Sequence, residues 1–182
     1  MNSIQRDFLD RATAEAVKAN HPFAQMAACE AALESNWGNS ELARDAFNLF
    51  GMKQHCHPVF GTMTLPTREF EGGEWITVGA ANWVEYPDWR ACFADRLATL
   101  ERLSNALPHY KAALAAMDAR TYVRQVSESW STDPAWVAKD GKEFLSKAEA
   151  LAYDPQASAS PGLGRALKVL SIYNDYLIGE TS

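Results

Sequence analysis

The sequence is poor in cysteine, which limits both disulfide and metal chemistry. Its 182 residues include three cysteines, Cys29, Cys56 and Cys92, and no two of them have the spacing of a Cys-x-x-Cys pair. We therefore expect reduced thiols rather than a disulfide framework. His55 and His57 flank Cys56, but adjacent side chains point in different directions and no second ligand pair follows at the spacing of a zinc finger. We predict no metal site and no cofactor.

The chain also lacks any run of lysine and arginine. Its formal net charge is −6 and its pI is near 5.2, whereas nucleic-acid-binding proteins usually carry a basic patch. This balance argues against a nucleic-acid partner and leaves a polysaccharide substrate possible.

Long apolar runs are missing as well. No segment approaches the roughly 20 apolar residues that cross a bilayer, so no integral membrane segment is expected. The first 20 residues are polar and amphipathic and do not resemble a secretory signal. If the protein acts on a cell wall, in the periplasm or outside the cell, we expect it to be made in the cytoplasm and released by another route.

What the chain does contain is the composition of a globular domain. Hydrophobic residues make up 47% and charged residues 22%, and the aromatic content of 11% includes six tryptophans. Core filling is the favoured interpretation of these aromatics over a groove that stacks sugars, and the two are compatible.

Periodicity predicts mostly helices, with one β-hairpin. Helical spacing runs from Ile4 to Ala19, and a second helix is expected with Pro22 in its first turn and Gly38 just past its end. Further helices are expected over a short segment capped by Ser40 and closed at Gly51, from an Asp88 N-cap, and over Pro108–Met117, Ala119–Trp130, Pro134–Leu151 and Gly164–Ile178. The sequence "LPTREFEGGEWITV" predicts a hairpin that turns at Gly72 and Gly73. The fold class is therefore α+β, mostly α.

One stretch has the composition of a linker. It is "DPQASASPGLG", Asp154 to Gly164. We therefore expect a body at residues 1–155 and, at residues 156–182, a segment made of the linker and a C-terminal helix. Because that last helix is rich in apolar residues, we expect it to pack on the same domain.

Glu34 interrupts the apolar face of the second predicted helix. At 100° per residue, Phe23, Ala27 and Glu34 fall within roughly 40° of one another, with Trp37 beside them at the helix end. Apolar surroundings and the negative end of the helix dipole both favour a protonated carboxyl. A carboxylic acid that keeps its proton near neutral pH can protonate the departing oxygen of a glycosidic bond.

Glu30 provides the alternative. It lies one turn earlier on nearly the same face, so either glutamate could instead be a structural residue bonded to nearby backbone or to an arginine. The position of Glu34 at a helix terminus, where a cleft can open, separates the two.

A second carboxylate could come from the hairpin. With a two-residue turn, Glu69 faces Ile76, Phe70 faces Trp75 and the adjacent pair is Glu71 with Glu74. Glu69 would then be displayed from a β-arm that could fold over the end of the helix that carries Glu34. The alternative is a solvated strand charge.

Two segments, "AALESNWGNSELA" and "NLFGMK", follow each other closely in the chain. Together they resemble the signature of the glucosaminidase family of peptidoglycan hydrolases, glycoside hydrolase family 73, which includes autolysins, the flagellar rod hydrolase and phage endolysins. The matching positions are Leu33, Glu34, Ser35, Trp37, Gly38, Ser40, Asn48, Leu49, Phe50, Gly51 and Lys53.

Later segments continue the resemblance as far as Lys139. "TREF", with Thr67, Glu69 and Phe70, is similar to the family's Thr-x-Glu-aromatic hairpin, and Tyr86 occupies the tyrosine of the following strand. "WSTDPAWVAK" is similar to a segment in which the family typically has tyrosine where this chain has Trp130 and Trp136. An indole N–H there can donate a hydrogen bond but cannot act as a base. The chain also departs from the family at Glu30, often Gln, and at Asn82-Trp83, usually Phe-Arg.

The resemblance implies a fold, an activity and a set of site residues. The fold would be lysozyme-like, with a helical lobe and a small β-hairpin lobe flanking a cleft. The activity would be an endo-β-N-acetylglucosaminidase that cleaves the β-1,4 bond after N-acetylglucosamine in peptidoglycan glycan strands, by inversion or with help from the substrate's acetamido group. The catalytic residues would be Glu34 and Glu69, and the substrate-binding candidates are Trp37, Asn48, Phe50, Tyr86, Trp130 and Trp136.

Other functions stay open on the sequence alone. A muramidase or a lytic transglycosylase would cleave a different bond or leave an anhydro end, and a non-catalytic wall-binding module would bind without cleaving. For the setting, we expect a monomeric phage endolysin, with a secretion-system effector or a flagellar-type wall hydrolase as alternatives.

Overall fold

Helices joined to two small antiparallel sheets make up residues 1–54, 59–71 and 74–180, the part of the chain that the computed structural model describes. The helices are α1 (Ser3–Lys18), α2 (Ala24–Glu34), α3 (Glu41–Asp45), α4 (Trp89–Leu103), α5 (Pro108–Leu114), α6 (Ala119–Trp130), α7 (Lys147–Tyr153) and α8 (Leu163–Glu180). The strands are β1 (Gly61–Glu71), β2 (Glu74–Glu85), β3 (Ala135–Val137), β4 (Glu143–Phe144) and β5 (Ser158–Ser160). The predicted α+β class with mostly helical content is confirmed.

Side-chain caps set the start of several helices. The Asn2 side chain accepts a hydrogen bond from the backbone N–H of Gln5, and Oε1 of Gln5 accepts one from the backbone N–H of Asn2, which forms a capping box at the start of α1. Ser40 caps α3 and Asp88 caps α4, as predicted. Pro22 was predicted in the first turn of α2, but that helix starts later, at Ala24, after Phe23 as its N-cap.

Helix α2 forms the centre of the core. Every residue from Met26 to Ala32 is buried, and the helix packs against α1, α6 and α8. Four alanines among these buried positions allow neighbouring helices to approach closely. Because other helices cover this helix on several sides, water has little access to it. Its two carboxylates, Glu30 and Glu34, must therefore find partners inside the protein or at the helix end.

The β1–β2 hairpin has the predicted register. Glu69 pairs with Ile76, Phe70 with Trp75, and Glu71 with Glu74, while the turn at Gly72 and Gly73 lies outside the described residues. The register shifts between Pro66 and Arg68, where β2 supplies one residue more than β1. Gly79, with φ of +59°, lies in this extra stretch of β2, which is a bulge that tightens the local twist.

The base of the hairpin is tied to the helical body by backbone hydrogen bonds. Val84 N–H donates to the carbonyl of Met52 at 3.0 Å, and Tyr86 N–H donates to the carbonyl of Ala46 at 2.9 Å. The loop after α3 therefore joins the end of β2 to the helices, and the helix predicted to continue to Gly51 ends at Asp45 instead.

The prediction of a helix over Pro134–Leu151 is wrong. Strands β3 and β4 occupy its first part, with Trp136 opposite Phe144, and only α7 is helical. The turn between the strands includes Gly141, whose φ of +86° is unfavourable for residues with a Cβ. These strands are too short for alternation to reveal them, so a second sheet was missed.

The predicted linker contributes to that second sheet. Ser158–Ser160 forms β5, which pairs antiparallel with β3, and α8 follows directly and packs on α2 and α6. Gly162 allows this connection because an added Cβ would lie 2.3 Å from the carbonyl oxygen of Ser127. Within the described residues, no helix combines the length and the hydropathy that crossing a membrane requires.

Candidate active site

Glu34 is the last residue of α2, and its side chain is 27% exposed. The chain then makes a tight turn in which Asn36, Trp37 and Gly38 have positive φ angles of 51°, 58° and 76°. Two of these residues carry side chains in a conformation that they rarely adopt, which costs of order 1–3 kcal/mol each. Such strain persists only where the surroundings hold it.

Ser35 holds that turn together. It is buried, its hydroxyl donates to the carbonyl of Ala31 at 2.6 Å, and the same oxygen accepts from the backbone N–H of Gly38 at 2.8 Å. Trp37 N–H donates to the carbonyl of Ala32 at 2.8 Å. The Ser and Gly of the Glu-Ser-x-Trp-Gly motif therefore shape the backbone that presents Glu34 at the surface.

Arg165 of α8 bonds to both glutamates of α2. Its Nε donates to Oε1 of Glu34 at 2.6 Å, one terminal nitrogen donates to Oε1 of Glu30 at 3.0 Å, and the other donates to Oγ of Ser127 at 2.9 Å. The guanidinium is 3% exposed. Burial opposes its charge, but Glu30 and Glu34 outweigh that cost and raise the pKa of Arg165 above its ordinary value.

This ion pair corrects one expectation from the sequence. Glu34 was expected to lie in apolar surroundings, but its carboxylate contacts a guanidinium. The alternative that a glutamate on this face is bonded to an arginine is confirmed for Glu30 and Glu34 alike. The reason is long-range packing, because α8 brings Arg165 to a helix that ended 131 positions earlier.

Arg96 of α4 is a second buried cation beside Glu30. One of its terminal nitrogens is 3.5 Å from Oε1 of Glu30, and both side chains are 1% exposed. Its guanidinium lies 3.7 Å from the ring centre of Trp130 and 5.3 Å from that of Phe50. Within the described part of the chain, its nitrogens have no hydrogen-bond partner, so the charge of Glu30 and the two aromatic faces stabilise the guanidinium.

A neutral histidine completes the surroundings of Glu30. Nδ1 of His21 accepts from the backbone N–H of Phe23 at 3.1 Å, and Nε2 is 3.2 Å from the hydroxyl of Tyr122. This pattern assigns the proton to Nε2, which leaves the Tyr122 hydroxyl free to donate to Glu30. Burial lowers the pKa of His21 to about 4, so the ring is neutral at pH 7.

Two of the predicted substrate-binding aromatics lie beside surface pockets. Trp37 contributes to a pocket of about 290 Å³ and contacts Phe8 edge-on at 6.2 Å between ring centres. Tyr86 contributes to a pocket of about 410 Å³ at the base of the hairpin, although it is buried and its hydroxyl donates to Asp95 at 2.6 Å. Burial raises the pKa of Tyr86 far above its ordinary value, and the hydrogen bond to Asp95 adds to this.

Asn48 and Phe50 lie in the interior. Asn48 is 1% exposed, and its amide donates to the carbonyls of Met52 and Val84 at 2.9 Å each and accepts from the N–H of Met52. Phe50 packs edge-on against Phe93 at 5.5 Å between ring centres. Asn48 therefore ties the loop after α3 to β2, and Phe50 fills the core beneath it.

The two tryptophans of "WSTDPAWVAK" have separate positions. Trp130 ends α6 and stacks on Arg96, close to Glu30, whereas Trp136 lies on β3 with the ammonium of Lys147 5.0 Å from its ring centre. Both are partly exposed. Trp130 thus belongs to the charged cluster behind Glu34, and Trp136 belongs to the second sheet.

Glu69 is described through its backbone. It lies on β1 opposite Ile76, one residue beyond the register shift between Pro66 and Arg68. Its predicted partnership with Glu34 stays a prediction. His55, Cys56 and His57 lie outside the described residues.

Among the residues that the structure describes, no group of three or more His, Cys, Asp or Glu side chains could hold a metal ion. Cys29 and Cys92 are buried free thiols, and burial raises the pKa of each to about 12. These two thiols are therefore core residues rather than reactive groups.

Sequence reasoning missed Arg96 and Arg165. A weak signal was present for both, since each arginine lies in a helical stretch rich in apolar residues, "RACFADRLATL" and "LGRALKVL". A buried arginine requires a carboxylate partner, and the sequence analysis had assigned no cation to Glu30 or Glu34.

Comparison with known proteins agrees with this geometry. Residues 10–142 match the family model Glucosaminidase, described as mannosyl-glycoprotein endo-beta-N-acetylglucosaminidase. The chain is 28% identical over 145 residues to a protein of Lactococcus lactis subsp. cremoris named "Probable N-acetylmuramidase", covering 78% of this chain and 32% of that protein. It is 30% identical over 115 residues to the peptidoglycan hydrolase FlgJ of Escherichia coli strain K12, covering 60% and 35%. The chain thus spans about a third of the length of the curated relatives it matches.

Solved structures share the fold. The catalytic domain of the autolysin Auto from Listeria monocytogenes superposes with a TM-score of 0.70 at 20% identity, covering 100% of this chain and 89% of that one. The C-terminally truncated glycoside hydrolase domain of FlgJ from Salmonella typhimurium has a TM-score of 0.57 at 22% identity, covering 94% and 96%. The lysozyme-like fold is therefore confirmed. Since the family model matches well over half of its residues, the chain belongs to the glucosaminidase family of glycoside hydrolases, family 73.

Proposed function

We propose that this chain is a peptidoglycan hydrolase, an endo-β-N-acetylglucosaminidase that cleaves the β-1,4 bond after N-acetylglucosamine in glycan strands. The observation that carries the proposal is the place of Glu34. It ends α2 within the Leu-Glu-Ser-x-Trp-Gly motif, and its side chain is 27% exposed, so a ligand in solvent can reach it. A rigid, buried helix behind it provides the fixed geometry that catalysis needs.

Glu34 is proposed as the general acid. Its proton passes to the glycosidic oxygen as the C1–O bond breaks, and water adds to C1 to leave a new reducing end. Because Oε1 accepts a hydrogen bond from Arg165, the proton to be transferred would reside on Oε2.

Glu69 is proposed to activate or orient the attacking water. In this route the carboxylate of Glu69 takes a proton from the water as its oxygen bonds to C1, and the product has inverted configuration. The supporting observation is the hairpin register, since Glu69 lies on β1 opposite Ile76 as the two-residue turn predicts. The alternative is attack by the substrate's own acetamido oxygen, which needs no second carboxylate.

The proposed sugar contacts divide into direct and indirect ones. Trp37 lies beside a pocket of about 290 Å³, and Trp130 and Trp136 are partly exposed, so these three can contact substrate. Asn48, Phe50 and Tyr86 would support the site from beneath, because each is at most 3% exposed, and Tyr86 does so at the floor of the pocket of about 410 Å³.

End-group analysis of digested sacculi tests the proposal. Purified sacculi are incubated with the protein, and the soluble fragments are reduced and analysed by mass spectrometry. A glucosaminidase leaves a reducing N-acetylglucosamine end. Binding to sacculi without release of soluble fragments would identify a non-catalytic wall-binding module and refute the proposal.

A muramidase is the second candidate, favoured by the name of the Lactococcus lactis relative. It would leave a reducing N-acetylmuramic acid end, and a lytic transglycosylase would leave a 1,6-anhydro end. The same mass spectra distinguish all three outcomes.

The setting and the domain division are also proposals. The family includes phage endolysins, and we propose that role, with a catalytic domain at residues 1–155 and a C-terminal segment at residues 156–182 packed on it in a monomer. An endolysin produced in the cytosol would lyse cells only once the membrane is permeabilised; lysis without permeabilisation would contradict this setting. Sedimentation analysis tests the monomer.

A further inference from the structure

Arg165 has the geometry of a residue that orients a carboxylate. Three nitrogens of one planar guanidinium donate to three acceptors, Glu34, Glu30 and Ser127, at distances of 2.6 to 3.0 Å. Because the fork is rigid and each direction has its own acceptor, rotation of the guanidinium would break at least two bonds. Arg165 therefore fixes the position of Glu34 relative to both α2 and α6.

The guanidinium reaches Glu34 from the interior. Arg165 is 3% exposed while Glu34 is 27% exposed, so the bonded oxygen, Oε1, lies on the inner side of the carboxyl group. A sugar oxygen that arrives from solvent meets the other oxygen, Oε2. Arg165 thus distinguishes two oxygens that are chemically equivalent in a free carboxyl group.

The charges of the cluster balance. Two carboxylates, Glu30 and Glu34, face two guanidiniums, Arg96 and Arg165, and all but Glu34 are at most 3% exposed. Buried ions of this kind are stable only when paired. When Glu34 carries a proton, the cluster has one excess positive charge, and transfer of that proton restores the balance.

We infer that Arg165 is a positioning residue of the hydrolase, which holds Oε1 of Glu34 so that Oε2 carries the proton to the glycosidic oxygen. This inference rests on the proposed function. In the step, the O–H bond of Glu34 breaks, the proton joins the departing sugar oxygen, and the carboxylate that forms is stabilised by the hydrogen bond from Arg165. Arg165 keeps all its protons. Arg165 lies outside residues 10–142, the range that matches the family model. Its role would make α8 part of the active site.

A pH profile separates this role from a purely structural one. A general acid works only while it is protonated, and as a rule a cation beside a carboxyl group favours the ionised form of that group. Removing Arg165 should therefore move the basic limb of kcat/KM to higher pH, while a loss of folded protein only lowers the rate equally at every pH. The groups that face the cluster from neighbouring elements stay in place in such a variant: Glu30 of α2, Arg96 of α4, Tyr110 of α5, and Tyr122 and Ser127 of α6.

The experiment compares Arg165→Met, Arg165→Lys and the wild type on purified sacculi from pH 4 to 9, with the folded fraction measured by circular dichroism. For Arg165→Met we expect kcat to fall about 100-fold per folded molecule, as for a misplaced catalytic group, and the basic limb of the pH profile to move to higher pH. KM should change little, because Arg165 contacts Glu34 and not the sugar.

Arg165→Lys keeps the positive charge but loses the planar set of hydrogen-bond donors of the guanidinium. The basic limb of its pH profile should therefore stay near the wild-type position, while kcat should be reduced. It decides the matter if the Met variant does not fold. Arg124→Met is the matched control, because Arg124 makes a two-bond ion pair with Glu143, at 2.7 and 2.9 Å, that does not include Glu34. The pH profile of this variant should equal that of the wild type.

The outcomes are distinct. If the basic limb of the pH profile does not move in Arg165→Met, or if Arg165→Lys has a normal kcat, the positioning role is overturned while the hydrolase function stands. A wild-type protein that releases no fragments from sacculi refutes the proposed function itself.

Discussion

Arg165 donates its Nε hydrogen to Oε1 of Glu34 at 2.6 Å, although 131 positions separate the two residues in the chain. The carboxylate that the motif places at the end of α2 is thereby joined to the last helix of the fold. Any change that loosens α8 should act on Glu34 as well, so several measurements on stability and activity are linked through this contact.

Glu34→Gln should abolish hydrolysis and preserve the fold. The amide oxygen can still accept from Arg165, but no proton is available for the glycosidic oxygen, and losing a general acid costs about 10²–10⁴-fold in rate. Release of reducing ends from purified sacculi measures the effect. Glu101→Gln, on the exposed side of α4, is the control and should hydrolyse normally. Hydrolysis at the wild-type rate in Glu34→Gln would overturn the acid role.

Glu69→Gln should slow hydrolysis by about 10²-fold or more if its carboxylate activates water. If the substrate's acetamido group attacks instead, the rate should stay near normal. The rates are measured as initial release of reducing ends, with Glu71→Gln, two positions along β1, as the matched substitution that should have little effect.

Glu30→Ala should strongly destabilise the protein. It leaves Arg96 and Arg165, which are at most 3% exposed, without their shared carboxylate, and breaking a buried pair from one side costs about 3–5 kcal/mol. Urea denaturation gives the free energy of unfolding. In the control, Glu143→Ala breaks the more exposed pair with Arg124 and should cost about 1 kcal/mol or less. Equal costs at the two sites would contradict the buried cluster.

Gly162→Ala should destabilise more than Gly141→Ala. Both glycines have positive φ, +74° and +86°, so both variants suffer a backbone cost of about 1–3 kcal/mol. At Gly162 the new Cβ would also lie 2.3 Å from the carbonyl oxygen of Ser127, whereas at Gly141 it would meet nothing within 4 Å. Overpacking should add about 1–3 kcal/mol at Gly162 alone. Thermal melting measures both, and equal shifts would argue against close packing of α8 on α6.

His21 should make folding stability depend on pH below neutrality. Burial lowers its pKa from 6.5 to about 4 in the folded protein, so between these values the unfolded chain binds a proton that the folded protein does not. The stabilisation is therefore complete above pH 6.5 and is lost as the pH falls toward 4, up to about 3 kcal/mol. Urea denaturation at pH 7.5 and pH 4.5 measures it.

His21→Gln should reduce that difference between pH 7.5 and pH 4.5, while His109→Gln, which changes an exposed histidine, should leave it unchanged. A wild-type slope in His21→Gln would mean that other groups cause the acid sensitivity.

Elements with a strong local signal were predicted from the sequence. Asp88 and Ser40 start helices because their side chains accept from backbone N–H groups three residues on, and these bonds involve only neighbours. The register of β1 against β2 followed from a two-residue turn, since each further pair is then determined. The motif around Glu34 was identified through its resemblance to the family's signature, and the contacts of Ser35 with Ala31 and Gly38 that shape it involve only near neighbours in the chain.

Contacts between distant segments could not be predicted in this way. Strands β3, β4 and β5 have two or three residues each, too few for a periodic pattern, and they are strands only because they pair with one another. The partner of Glu34 was equally hidden, since several arginines were compatible with the sequence and nothing local selected Arg165.

Local chemistry in the chain thus specifies the helices, the hairpin and the carboxylate at the end of α2, because caps, turns and periodic burial act over a few residues. The charged surroundings of that carboxylate come from packing alone. They exist because α4 and α8 bury Arg96 and Arg165 against α2, and burial of two guanidiniums is favourable only where Glu30 and Glu34 balance their charge.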